Sequence, residues 1–227
     1  MDLDYYYSYS FEIDYYLDLL RAINIPVTNV NTELWLPDSK SGKISNIVNS
    51  ISGKKVLIHA GSRFKQKNWN NENWNEVIYE LTNTYDCNII FVGSNKDQET
   101  YNEILSGENK IDSKKIINLC GKLKIEETIE LVKDMNLVIG IDSGVIHIAA
   151  AFNIPSILLS GPTSLIRWTP RSDACQIINK TEKYSCAPCI FESKKQYCKN
   201  LKTAKCMAEI TTTDVLDRAK NVFHNCN

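Results

Sequence analysis

No stretch of this sequence stays apolar over the roughly 20 residues that a membrane-spanning helix needs. The formal net charge is only −1, so no global excess of basic charge favours nucleic acid or an anionic membrane surface. The first residues carry Asp2, Asp4, Glu12 and Asp14 with no basic segment, which sets aside a secretory signal. No internal repeat is evident. A dinucleotide fingerprint is also missing: the first strong strand candidate runs into Gly61-Ser62-Arg63-Phe64, not G-x-G-x-x-G. That argues against a nicotinamide or flavin oxidoreductase. The exclusions leave a soluble, cytoplasmic protein as the expectation. Its 227 residues suffice for one good-sized domain plus an extension.

What is present is an alternation. Lys55–Gly61, Asn88–Ser94, Lys115–Gly121, Leu137–Asp142, Ser156–Gly161 and Cys175–Asn179 read as six strands. Their Val/Ile/Leu runs lack polar alternation, which suits strands buried on both faces of a parallel sheet. Helices are expected at Asn73–Tyr85 with Asn73 as N-cap, Lys96–Leu105, Ile125–Met135 and Thr211–His224. In Ile125–Met135 the residues Ile125, Ile129 and Val132 share one face. Residues 54–227 are therefore expected to form a doubly wound α/β domain on a six-stranded parallel Rossmann-like sheet. Ligands of such folds bind beyond the carboxyl ends of the strands.

Residues 1–53 read differently, as an N-terminal helical extension. Four of the first nine are tyrosines, and Phe11–Ile23 is helical with Tyr15, Leu19 and Ala22 on one stripe. Pro26 ends that helix, and the polar stretch Thr28–Lys54 reads as an extended linker. The helix lacks the Lys/Arg face of a membrane-surface helix, so packing against protein is expected.

The most informative segment is Asp142-Ser143-Gly144-Val145-Ile146-His147, between an apolar strand and an Ala-rich helix. A helix start offers unpaired backbone N–H groups and partial positive charge, a ready site for phosphate. Ser143 and Gly144 let the backbone approach an anion, His147 overhangs the same mouth three residues on, and Asp142 can accept bonds from ligand hydroxyls. A capped helix with a buried histidine is the competing reading. Two further loops, 60–69 with its cations and 93–99 with its carboxylates, follow other strands and should converge on the same cleft. The stretch from Gly161-Pro162-Thr163 to Arg167-Trp168-Thr169-Pro170 is expected to close that edge.

Of eight cysteines, Cys87, Cys120, Cys175 and Cys226 are scattered and read as reduced thiols. The others cluster as Cys186-x2-Cys189-x8-Cys198-x7-Cys206 within a Cys-rich loop, 184–207. That spacing suits a structural zinc, an iron–sulfur cluster or two disulfides. A cytosolic setting disfavours the disulfides. Seven lysines between 180 and 205 make the loop basic. They read as a solvated surface, with an anionic membrane face or phosphorylated acceptor as the sharper alternative.

Read together, IHAGSRFKQKNW (58–69), IIFVGSNKDQE (89–99), INLCGK (117–122), DSGVIHIAAAFNIPSILLSGPT (142–163), RWTP (167–170) and the late CAPC…C…CM segment resemble the bacterial heptosyltransferases. These form the glycosyltransferase family 9 group, which builds the inner core of lipopolysaccharide. The resemblance covers roughly residues 55–215 and falls on the C-terminal half of such enzymes, with residues 11–37 similar to the end of the preceding domain. It implies a GT-B arrangement whose C-terminal domain binds a nucleotide-diphosphate sugar, usually ADP-heptose, with no cofactor or divalent metal required. It further implies that Lys67 binds phosphate, that Ser143, Gly144 and His147 meet the diphosphate, and that Asp142 lies near the sugar. Ser62, Glu99 and Thr163 are implied as further donor contacts. Acceptor domain and catalytic base have no counterpart in this sequence. It therefore reads as a truncated product, a fragment whose N-terminal half is a separate partner, or a remnant, and full activity alone is not expected. The implied acceptor is a glycan such as the lipopolysaccharide core. The alternatives are a GT-B-like nucleotide-sugar epimerase and a non-catalytic binding or docking module.

Overall fold

The computed structural model describes residues 11–36, 42–190, 198, 201 and 203–224. The six expected strands are present: β1 (Lys54–His59), β2 (Cys87–Phe91), β3 (Ile116–Asn118), β4 (Leu137–Ile141), β5 (Ser156–Ser160) and β6 (Cys175–Asn179). They form one sheet in the order β3-β2-β1-β4-β5-β6, and every pairing is parallel. The helices among the described residues are α1 (Glu12–Ala22), α2 (Gly42–Asn49), α3 (Asn71–Asn83), α4 (Asp97–Leu105), α5 (Ile125–Lys133), α6 (Gly144–Ala151), α7 (Leu165–Trp168), α8 (Lys205–Ala208) and α9 (Thr212–His224).

The apolar runs of the strands are explained by two cores. Val56, Ile58, Ile89, Phe91, Ile139 and Leu159 point to one face, where Trp74, Val77 and Ile78 of α3 and Val215 and Phe223 of α9 cover them. Leu57, Ile90, Val138 and Leu158 point to the other, under Ile44 of α2, Leu131 and Val132 of α5, and Ile146 and Ala149 of α6. Successive strand side chains alternate between faces, and both faces are covered, so both sets must be apolar.

Several expectations are corrected. The polar stretch Thr28–Lys54 is not wholly an extended linker, because it contains α2. There Ile44, Ile47 and Val48 fall at helical spacing, and Ile44 is fully buried. Lys43 Nζ fixes that helix to α5 by donating to the Lys122 carbonyl (2.7 Å) and to Glu127 (3.1 Å). Helix α3 begins earlier than expected, with Asn70 and not Asn73 at its N-cap. Ile125 does not share the buried face of α5. It is 60 % exposed, whereas Val132 is fully buried and Ile129 packs against the core.

Helix α1 buries none of its residues completely, and Leu19 of the expected stripe is exposed. It is held instead by charge at its first turn. Arg167 Nε bonds Glu12 at 2.5 Å and Arg171 Nη2 bonds Asp14 at 2.5 Å. The Arg171 guanidinium also lies 4.5 Å from the Phe11 ring centre. Arg167 and Arg171, at either end of this short segment, thus anchor α1, a role the sequence did not reveal. The tyrosines of the first nine residues lie outside the described residues.

Truncating Ile44 to Ala should cost about 3 kcal/mol, the usual penalty for emptying a packed aliphatic site. Ile125→Ala should stay within about 0.5 kcal/mol. Urea unfolding of both variants checks the pair; equal effects would mean α2 does not cap this core.

Candidate donor-binding crevice

In a sheet ordered 3-2-1-4-5-6, the connections from β1 and β4 leave in opposite directions and open a crevice between their carboxyl ends. The loop after β1 and the turn after β4 therefore face each other, and the residues singled out earlier lie there. Beyond His59 the chain passes Ala60–Phe64 into a single 3-10 turn, Lys65–Lys67, closed by Lys67 N–H donating to the Phe64 carbonyl at 2.9 Å. Trp69 pins the end of this loop. It is buried, meets Trp74 edge-on at 5.1 Å, and its indole N–H donates to the Ile210 carbonyl at 2.9 Å. This anchor draws Lys67 inward until only 9 % of it is exposed.

Across the crevice Ile141 ends β4, Asp142 follows, and Ser143 is the extended N-cap of α6. Lys67 Nζ and Asp142 Oδ2 pair at 2.8 Å, with side chains 11 % and 12 % exposed. Gly144 opens the helix facing free space: a Cβ added there would meet nothing within 4 Å. Ser143 does not cap the helix with its side chain, and its Oγ is buried without a hydrogen-bond partner. The start of α6 at Gly144 thus borders open space, with an unsatisfied hydroxyl buried beside it, an arrangement that suits an anion. Gly140 explains how β1, β4 and α6 come so close, since a Cβ there would sit 3.1 Å from the His59 carbonyl oxygen and 3.4 Å from Ile146 Cδ1.

His147 lies near enough to feel both members of the ion pair. Burial lowers its pKa below the ordinary 6.5, Asp142 opposes that shift, and Lys67 reinforces it. The imidazole is thus held neutral in the free protein. His59, at the end of β1, is lowered in the same way: burial dominates, Asp97 raises and Lys67 lowers. His59 carries no early signal of its own, whereas Asp97 is one of the carboxylates expected of loop 93–99. Asp97 Oδ2 accepts from Ser94 N–H at 2.6 Å and Ser94 Oγ–H at 2.8 Å. A Cβ on Gly61 would overlap its carboxylate, and one on Gly93 would come within 2.7 Å of Oδ2. The only early signal of this was small residues in both loops.

The other expected residues each have their own local surroundings. Ser62 Oγ accepts from Phe64 N–H at 3.1 Å, shaping its own turn. Glu99 is exposed and lines a 260 Å³ pocket with Lys65, Asn68, Glu72 and Glu103. Thr163 is buried in the turn after β5, where the Pro162 carbonyl accepts from Cys189 N–H (2.8 Å) and Ile190 N–H (2.9 Å).

Cys186, Cys189, Cys198 and Cys206 line one 460 Å³ cavity, and all four are free thiols. Burial pushes the Cys206 thiol up to about 11, with Cys189 and Cys198 adding to the shift. Among the described residues no three His, Cys, Asp or Glu side chains are grouped to hold a metal ion. Cys87, Cys120 and Cys175 are free as expected; Cys226 lies outside the described residues. In the basic loop, Lys180 pairs with Asp214 (2.9 Å) and Lys183 with Glu209 (3.3 Å). Lys194, Lys195, Lys199 and Lys202 lie outside the described residues. No helix among the described residues is long and apolar enough to cross a membrane.

The family model described as glycosyltransferase family 9 (heptosyltransferase) matches residues 13–200. A lipooligosaccharide heptosyltransferase 2 of Campylobacter jejuni is 27 % identical over 188 residues, 81 % of this chain and 56 % of the relative. Among solved structures, the ADP-heptose lipopolysaccharide heptosyltransferase II of Escherichia coli is similar at a TM-score of 0.66 and 22 % identity. That match covers 88 % of this chain and 56 % of that one. A glycosyltransferase family 9 protein of Veillonella parvula gives a TM-score of 0.77 at 17 % identity, over 96 % and 61 % of the two chains. The chain thus spans about half the length of the curated relative it matches.

Both buried imidazoles should titrate below 6.5 when followed by NMR. The unfolded chain takes up protons near pH 6.5 while these folded sites remain neutral, so the unfolding free energy should fall as pH drops from 7.5 to 5.5. Urea unfolding of the wild type and His147→Gln checks this: the variant should show the shallower pH dependence.

Proposed function

Because the chain belongs to glycosyltransferase family 9, as the match over residues 13–200 establishes, we propose that its crevice binds a nucleotide-diphosphate sugar. ADP-heptose is the first candidate, given the similarity to an ADP-heptose-dependent enzyme. The domain would then be the donor-binding half of a heptosyltransferase acting on a lipopolysaccharide-type acceptor. One observation carries the reading: the buried Lys67–Asp142 pair beside the open start of α6, at the fold's switch point.

The chemistry follows from the charges. When the glycosyl bond breaks, negative charge grows on the diphosphate leaving group. Amides of Ser143 and Gly144 and the helix end would stabilise it from one side, and Lys67 from the other. An ammonium group has three donors; one bonds Asp142, which leaves two for phosphoryl oxygens. Asp142 keeps an oxygen for a sugar hydroxyl, and a neutral His147 can donate one further bond. Ser62, Thr163 and Glu99 are proposed as more distant donor contacts. None of these groups requires a metal to perform its part. The base that takes the acceptor's proton is expected in the preceding half of the enzyme, whether earlier in a longer chain or on a separate one.

A docking role alone is the second reading, favoured by the exposed Leu19, Ile23 and Trp35, at 64 %, 66 % and 82 %. Within the transferase reading these residues receive the acceptor-binding half. The D-S-G-x-x-H…G-P-T string favours transferase over epimerase. With a lipid-linked acceptor, the enzyme would work at the cytoplasmic face of the inner membrane. For the four clustered thiols we propose a structural role, seating the Gly161-Pro162-Thr163 turn; a Cβ on Gly161 would come within 2.9 Å of Cys206 Sγ.

Calorimetry should show the chain binding ADP-heptose and ADP, with UDP and GDP weaker. Lys67→Ala should lose at least about tenfold in affinity, the value of a charge-assisted bond. Binding without turnover, turned into transfer by a supplied N-terminal half, supports the enzyme; binding that never leads to transfer leaves the docking module. Metal analysis decides the thiols' state: below about one zinc or iron per chain, they are packing groups only.

A further inference from the structure

We propose that His59 is a further ligand-contacting residue of this crevice, its Nδ1 bonding a phosphoryl or sugar oxygen of the bound nucleotide sugar. The inference rests on the donor-binding reading and adds a contact to that same site. His59 is the last residue of β1 and pairs with Gly140 of β4, so it stands on one of the two strands that frame the switch point. By strand alternation it shares the face of Leu57, the face that α6 covers. Opposite it, Gly140 contributes no side chain.

The unpartnered atoms support the same conclusion. Nδ1 of His59 is buried with no hydrogen-bond partner, as is Ser143 Oγ on the facing turn. A buried polar atom left unpaired is costly, and native structures retain few of them. Two such atoms at the ends of adjacent strands, beside an open helix start, mark where a polar ligand completes the bonding. The charged groups facing His59 are Asp97 from α4 and Lys67 from the 3-10 turn. Burial keeps the imidazole neutral in the free protein. An arriving diphosphate offsets the effect of Lys67 and favours proton uptake at His59. Two of the chain's three histidines, His59 and His147, therefore feel the same lysine.

The test is calorimetric titration of the full chain with ADP, in two buffers of different ionisation enthalpy. Wild type, His59→Leu and His59→Asn are compared, each also melted without nucleotide. His59→Leu should bind ADP about tenfold more weakly, the usual loss for one bond to a charged group, and take up fewer protons. Its melting temperature should hold or rise, because an unpaired buried nitrogen is gone. Asparagine, which keeps a polar atom near the Nδ1 position, should recover part of the affinity. Wild-type binding with both variants unchanged overturns the role of His59 alone. So does a lower melting temperature shared by both variants, which marks a structural histidine. A wild type that fails to bind ADP overturns the donor-binding reading, and the His59 contact with it.

Discussion

The ion pair between Lys67 and Asp142 is the constraint around which the rest of the crevice is arranged. Both side chains are almost fully withdrawn from water, at 11 % and 12 % exposure. Desolvating two charges costs several kcal/mol per ion, and their attraction returns little beyond that. A well-packed apolar pair would hold β1 and β4 together as well. Keeping charges there makes sense only if something beyond stability uses them, and an ammonium beside an open helix start is suited to an incoming phosphate.

Holding that pair requires support from several directions. Trp69 ties the lysine loop to the core on the α3 side of the sheet and to the chain just before α9. Asp97 fills the space that a side chain on Gly61 would take, so the β1 loop rests against the β2 loop. On the other side, Gly140 lets α6 settle close to the sheet, which brings Gly144 to the edge of the crevice. The Cys-rich segment bonds the turn after β5 through Pro162. Each loop is thus positioned by packing behind it.

The strands and the turn Asp142–His147 were legible because their signal is local. A run such as LVIGI followed by a small polar turn and an Ala-rich helix leaves few alternatives. Helix α2 was harder to see, since Ile44, Ile47 and Val48 sit in an otherwise polar stretch and only tertiary burial reveals their shared face. Ile125 misled for the opposite reason: periodicity assigns a face but cannot say how much of that face is covered. His59 and Asp97 lie within the segments 58–69 and 89–99, but the segments alone do not show that the two come together. Their significance arises when two separate loops meet.

The order of strand-like and helix-like segments determined the fold class, because continuous apolar strands can be buried only in a sheet covered on both faces. It also pointed to the strand ends as the expected place for a ligand, and its motifs pointed to the glycosyltransferase family. Which side chains meet was decided by the tertiary structure alone. The pairing of Lys67 with Asp142, the neutrality of His147 in the free protein and the meeting of Glu99 with Lys65, Asn68 and Glu72 around one pocket depend on distances between segments far apart in the chain. Electrostatics acts through space, and so no reading along the chain could supply those distances.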